Sequence, residues 1–193
     1  MQKKVNVRKI AMTAILSAVA TVLMFISFSL PIIPSFIKLD FSELPALIAA
    51  FSMGPVSGVV VCFIKNLVNL AMSTTGGVGE LCNFLMGVTF VVPAGLFYKF
   101  RKDRWGALWG SLLGAVIMAL TSFPINYFIT YPAYVQFYHM PLEAILGMYQ
   151  AILPSADSLI KCLVIFNMPF TLVKGLLDAV LCMLIYKPLS PIL

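Results

Sequence analysis

The sequence predicts an all-α integral membrane protein of six transmembrane helices, the second of them short, with both termini cytoplasmic. Three observations carry that prediction. Of 193 residues, 61% are apolar and only 10% charged, where a soluble domain carries about 25% charge. A chain of this length cannot bury so much apolar surface in its own interior, so much of it must face lipid. The apolar residues form stretches of spanning length, and the lysines and arginines gather at three places that alternate with them.

The stretches of spanning length are Ile10 to Leu30, Pro55 to Met72, Gly79 to Tyr98, Trp105 to Ile129 and Asn167 to Tyr186. Crossing the hydrocarbon core takes roughly 20 helical residues, with some latitude. The first has a basic head like a signal peptide. Its apolar run is too long for a signal core and no small-residue cleavage pattern closes it, so it reads as a retained helix. Glu43 to Met53 is shorter, and Met53-Gly54-Pro55 turns the chain behind it. Counted as a helix, this segment makes six.

Charge then sets the orientation. Lys3, Lys4, Arg8 and Lys9 precede the first helix, Lys99, Arg101, Lys102 and Arg104 link the fourth to the fifth, and Lys187 follows the sixth. Six crossings put all three groups on one side, as the positive-inside rule requires. The other side receives Asp40, Glu43, Glu80, Glu143 and Asp157 against Lys38 and Lys161. Without the short helix, Lys99 to Arg104 would fall outside. Residues 1–193 therefore form a single membrane domain, with a basic cytoplasmic segment at 1–9. A long extracellular loop at 131–156 is partly helical, and its PLEAILGMYQAIL piece lies across the outer mouth.

Several function classes drop out. The single histidine, His139, lies in a loop, and neither HExxH nor a serine nucleophile elbow occurs, so the chain is not expected to be an enzyme. Cys62, Cys82, Cys162 and Cys182 sit in apolar segments without a CxxC, which argues against a metal site. The net charge of +6 is not clustered on a foldable polar surface, so nucleic acid is not an expected partner. The glycine-rich STTGGVGE, residues 73–80, lacks the GKS/T of an ATP-binding loop. Glu80 also competes with any anion for the N-terminus of the helix that follows. A turn that brings backbone close to a neutral, hydrogen-bonding ligand fits better.

Ionisable groups at membrane depth are costly and mark candidate sites. Lys174 lies inside the last helix with Asp178 four residues on, on the same face. The two form an internal ion pair, or Lys174, nearer the outer half, meets a ligand. Asn167 shares that face, and Pro169 leaves backbone groups free near the helix start. Asn126 and Tyr127 end the fifth helix close to Pro124; Tyr127 is a ligand contact or an interface aromatic. Lys65, beside Asn66 and Asn69, needs a carboxylate, either Glu80 or Glu43. Ala14, Ser17 and Ala18 make a small-residue face on the first helix, and Gly106, Gly110 and Gly114 another on the fifth.

Taken together and in order, KLDFSELPALI, GPVSGVVVCFIKNLVNL, STTGGVGELCNFLMG and FNMPFTLVKGLLDAVLCMLIYKPLS resemble the riboflavin-specific substrate-binding (S) subunits of energy-coupling factor (ECF) transporters, the RibU family. The likeness spans essentially the whole chain after the basic head. It implies a six-helix, multi-pass protein of the bacterial cell membrane that binds riboflavin from the extracellular side. It also implies a membrane coupling protein and two cytoplasmic ATPase subunits as partners, with ATP hydrolysis confined to the latter. Riboflavin is then the transported ligand, and no catalytic cofactor is implied.

Residue by residue, the resemblance implies that Leu39 and Asp40 close over the ligand and that Gly79, Glu80 and Asn83 lie near the pocket. It makes Asn167 and Lys174 the main flavin contacts; Asn126 and Tyr127 remain ligand candidates from their place at the end of the fifth helix. Thr171 stands where some relatives carry asparagine. Ala14 and Ala18 match the family's alanine-rich interface with the coupling protein. The chemistry is coherent: an isoalloxazine has an apolar dimethylbenzene edge and a pyrimidine edge with carbonyls and an N–H. Asn167 offers donor and acceptor, and Lys174 donates. Carboxylates accept from ribityl hydroxyls and repel phosphate, which favours free riboflavin over its phosphorylated form. Three alternatives stay open: a proton-coupled secondary transporter switching on Lys174 and Asp178, a subunit for another vitamin, and a structural membrane protein. The absence of repeat symmetry weighs against the first.

Overall fold

The computed structural model describes residues 7–137 and 139–189, the last four of them by backbone alone. Lys3 and Lys4 of the basic head lie outside the described residues. Helix α1 covers Val7–Phe25, α2 Glu43–Met53, α3 Pro55–Leu70 and α4 Val78–Phe100. Helix α5 runs Arg104–Ile125, widens into a π-helical turn at Asn126–Thr130 and continues as Tyr131–Phe137. Helix α6 is Leu142–Gln150. Helix α7 begins at Leu159–Cys162, passes through a second π-turn at Leu163–Asn167 and continues as Met168–Leu189.

Local chemistry explains most of these boundaries. Gly54, at φ 98°, ends α2, and Pro55 opens α3, where its missing N–H has no intrahelical partner to lose. Gly77, at φ 89°, precedes α4, and Asp103 caps α5 by accepting from the Gly106 N–H at 2.5 Å. Ser158 caps α7 in the same way through the Lys161 N–H.

Three ends differ from the sequence expectation. The first helix was expected to reach Leu30 but stops at Phe25, and Phe28–Ser29 pair antiparallel with Lys38–Leu39. Pro31 and Pro34 follow, and an apolar run reads alike as helix or strand. The fifth helix passes Ile129 and continues to Phe137, and the last begins at Leu159 rather than Asn167. In each, a proline sits just past a π-turn, at Pro132 and Pro169. The carbonyls that their rings would strike, four residues back, belong to Phe128 and Ile165 inside those turns. Widening the turn lets the helix run through the proline.

Val7–Phe25, Val78–Phe100, Arg104–Phe137 and Leu159–Ile185 are each long and apolar enough to cross a membrane, and α2 and α3 are shorter apolar helices. Their outward faces carry exposed Val19, Phe63, Trp109, Leu120 and Leu184, the surface of a multi-pass membrane protein. Helix α2 is the centre of the bundle. It touches α1, α3, α4 and α7, and every residue from Pro45 to Phe51 is buried.

Around α2 the helices approach until backbones meet. A Cβ on Gly58 would lie 2.8 Å from the Ala46 carbonyl oxygen, and one on Gly114 would lie 2.5 Å from that of Phe90. The Gly106, Gly110 and Gly114 face therefore serves internal packing. The α1 face divides instead: Ser17 is buried, while Ala14 and Ala18 are exposed.

Candidate functional site

Four helix ends and two π-turns surround one cavity of about 340 Å³, within the range of small-molecule sites. Helices α1 and α3 contribute their C-terminal ends through Met24 and Asn69, and α2 and α4 contribute their N-terminal ends through Glu43 and Gly79. Asn126 and Asn167 come from the two π-turns, and α7 adds Thr171 and Lys174. The loop after the strand Lys38–Leu39 supplies Asp40. The apolar part of the wall includes Met24, Phe25, Met86, Met118 and Phe170.

Lys174 holds the charged corner. Its ammonium donates to Asp40 Oδ2 at 3.0 Å and pairs with Glu43 Oε2 at 3.0 Å. The expected partner Asp178 is not engaged: both of its carboxylate oxygens lack a hydrogen bond among the described residues. The Asp40 and Glu43 carboxylates, brought by the loop and by α2, lie closer than the residue one turn along Lys174's own helix. Lys65 finds Glu43, at 2.7 Å, rather than Glu80. Burial opposes the charge on Asp40. The neighbouring Lys174 and Lys65 and two hydrogen bonds from Ser42 outweigh it, holding its carboxyl well below the usual range.

The glycine turn is organised by Glu80. Its carboxylate accepts from Asn69 Nδ2 at 2.9 Å, Ser73 Oγ at 2.7 Å and Thr75 Oγ1 at 3.2 Å. Ser73 Oγ in turn accepts from the Thr75 and Gly77 N–H groups. Gly76 and Gly77 sit at φ 61° and 89°, where a side chain would be strained. The glycines thus fold the turn around a carboxylate, and Gly79 meets the cavity.

The amides differ in what they have left to offer. Asn167 Oδ1 accepts from the Tyr149 hydroxyl at 2.6 Å, and its Nδ2 donates to the Tyr131 hydroxyl at 3.2 Å. The two hydroxyls are themselves 2.5 Å apart, so Asn167 is fixed in place, with one N–H to spare. Asn126 donates to the Ser122 carbonyl at 2.8 Å and faces the Cys82 thiol at 3.6 Å. Asn83 Oδ1 is buried and has no partner among the described residues.

Of the residues singled out from sequence, Asp40, Gly79, Glu80, Asn83, Asn126, Asn167, Thr171 and Lys174 share this wall. Leu39 does not; it is buried behind the wall in the strand pair opposite Phe28. Tyr127 points elsewhere too, stacked on Phe123 at 5.8 Å between ring centres. Sequence reading missed Asn69, Thr75, Phe36, Tyr131 and Tyr134, all on the wall, and Tyr149 behind it. A one-residue shift of helical phase in α5 aims Thr130 and Tyr131 inward, and periodicity does not resolve so short a shift.

The family model for the ECF transporter, substrate-specific component, matches residues 8–186. The "Riboflavin transporter RibU" of Staphylococcus aureus (strain TCH60) is 31% identical over 98% of this chain and 95% of its own length. The "Riboflavin transporter FmnP" of Bacillus subtilis (strain 168) is 32% identical over 96% of this chain and 94% of its own. A solved S component of a bacterial ECF transporter superposes with a TM-score of 0.75 at 30% identity, covering 95% of this chain and 96% of that one.

Proposed function

Because the chain belongs to the family of ECF transporter substrate-specific components, we propose that it binds riboflavin in the cavity between these helix ends and π-turns and delivers it across the membrane. The observation that carries this reading is how the wall divides. Methionines and phenylalanines form one part, and Lys174, Asn83, Asn126, Asn167 and Thr171 belong to another, polar part. A flat ring with an apolar edge and a polar edge matches both. Lys174 and Asn167 donate to the pyrimidine carbonyls, and the unpaired Asn83 oxygen accepts a ligand N–H or hydroxyl. Thr171 and Asn126 complete the polar part. Leu39, off the wall, acts by holding the Asp40 loop closed, and Tyr127 by packing behind Asn126. The names of the relatives, riboflavin transporters, support the same ligand.

Asp40, Glu43 and Glu80 stand around the polar end, so a ribityl phosphate meets carboxylates and free riboflavin is preferred. The cavity lies at the ends of α1, α3 and α5 remote from the Lys99 to Arg104 linker. The positive-inside rule then makes the cavity extracellular and both termini cytoplasmic, with α2 and α3 completing six crossings. Exposed Ala14 and Ala18 offer the coupling protein a close helix approach. Two ATPase subunits on the cytoplasmic side of the bacterial cell membrane supply the energy, and this chain hydrolyses nothing.

Reconstitution tests the reading. Liposomes holding the chain with its coupling protein and ATPases should accumulate riboflavin only when ATP is supplied inside the compartment that contains the ATPases. Uptake by the chain alone, abolished by an uncoupler, would contradict it.

A further inference from the structure

At the charged corner of the cavity, five side chains close a ring. Lys65 donates to Glu43 Oε1 at 2.7 Å; Glu43 Oε2 takes Lys174 at 3.0 Å; Lys174 reaches Asp40 Oδ2 at 3.0 Å. Asp40 Oδ1 accepts from the Ser42 hydroxyl, and the Ser42 oxygen accepts from Lys65, which closes the circuit. Two ammonium groups alternate with two carboxylates, and Ser42 bridges the remaining gap. Asp40, Glu43 and Lys174 face the cavity, whereas Lys65 and Ser42 do not. Lys65 is fully buried, with no exposed surface at all.

From this ring we infer that Lys65 is a positioning residue for riboflavin binding, acting on the ligand only through Lys174. The inference rests on the proposed ligand. A lysine ammonium has three N–H donors. Lys174 donates one of them to Asp40 and pairs with Glu43 at 3.0 Å, and the ligand takes what these two carboxylates leave. That division holds because Lys65 takes the other oxygen of Glu43 and anchors Ser42, which holds Asp40. Without Lys65 two buried carboxylates compete for one ammonium, and Lys174 is drawn back into the ring and away from the ligand. Lys65 also ties α3 to the first turn of α2, so the carboxylates keep their spacing when the cavity is empty.

A double-mutant cycle separates positioning from general damage. Riboflavin affinity is measured by fluorescence titration for the wild type, Lys65→Met, Lys174→Gln and the double variant, with thermal unfolding of each ligand-free protein as the check on folding. Lys65→Met is expected to weaken binding about tenfold in the wild-type background and less than about twofold in the Lys174→Gln background. Lys65→Gln, which keeps a donor for Glu43 and Ser42, should lose less and show the same loss of effect without Lys174. It carries the cycle if Lys65→Met does not fold. Equal losses in both backgrounds, or wild-type affinity in both Lys65 variants, would overturn the assignment. A wild-type protein that does not quench riboflavin would instead refute the ligand itself, so the two failures are distinct.

Discussion

The two buried clusters of this protein are made of different residues. The one around α2 is rich in alanine, with Ala20, Ala46, Ala49, Ala50, Ala94, Ala107 and Ala115, and glycines let α4 and α5 meet backbone to backbone. The other, at the cavity end, is built on Tyr131, Tyr134 and Tyr149 with Phe166. Small side chains leave helices nothing to pack with except each other, at a distance that one added methyl disturbs. Large aromatic rings with hydroxyls leave gaps and fix polar groups beside them. The first arrangement makes a rigid support; the second makes room for a ligand and orients what touches it. The π-turns fall only on the cavity side of this division, and each carries one of the wall's asparagines.

If the division is right, substitutions on its two sides should fail differently. The largest effect is expected for Lys174→Ala, which removes a donor and leaves Asp40 without its ammonium partner. Riboflavin affinity should fall about a hundredfold in a fluorescence titration, on the order of 3 kcal/mol. Gly114→Leu should act on the support instead. Its Cβ would meet the Phe90 carbonyl oxygen at 2.5 Å, and a loss of about 1–3 kcal/mol should appear as a lower detergent unfolding temperature. Asn83→Leu should weaken binding about tenfold while leaving that temperature unchanged, because its oxygen makes no hydrogen bond among the described residues. Tyr149→Phe, which removes the hydroxyl donated to Asn167 Oδ1, should cost affinity only about threefold. Lys161→Ala is the control. It pairs with Asp157 at 2.7 Å on an exposed surface, and removing it should change affinity by less than about twofold.

How far the sequence disclosed this division varies by side. Lys174, Asn167 and Glu80 announce themselves, since polar groups inside apolar runs are costly and therefore conspicuous. The glycine face of α5 was legible as packing for a similar reason, because small-residue spacing has one main use between helices. Partner choice was not legible. Lys174 and Asp178 are neighbours in sequence, yet a loop and a short central helix deliver two better-placed carboxylates. The tyrosines could not be found either, because aromatics near a membrane surface have an ordinary reason to be there. Tyr131 turns inward only because the π-turn before it shifts the helical phase. Tyr149 reaches Asn167 only because α6 folds back over the cavity cluster.

The roles of Lys174, Asn167 and Asn83 depend on riboflavin occupying the cavity at the end of this bundle. The most direct measurement is an absorption spectrum of the protein purified in mild detergent, followed by a riboflavin fluorescence titration of the ligand-free form. The expected result is a yellow protein carrying flavin near one per chain, or saturable quenching with the same stoichiometry. Lys174→Ala should remove the quenching at concentrations that saturate the wild type. A colourless protein that leaves flavin fluorescence unchanged at every concentration would contradict that occupancy.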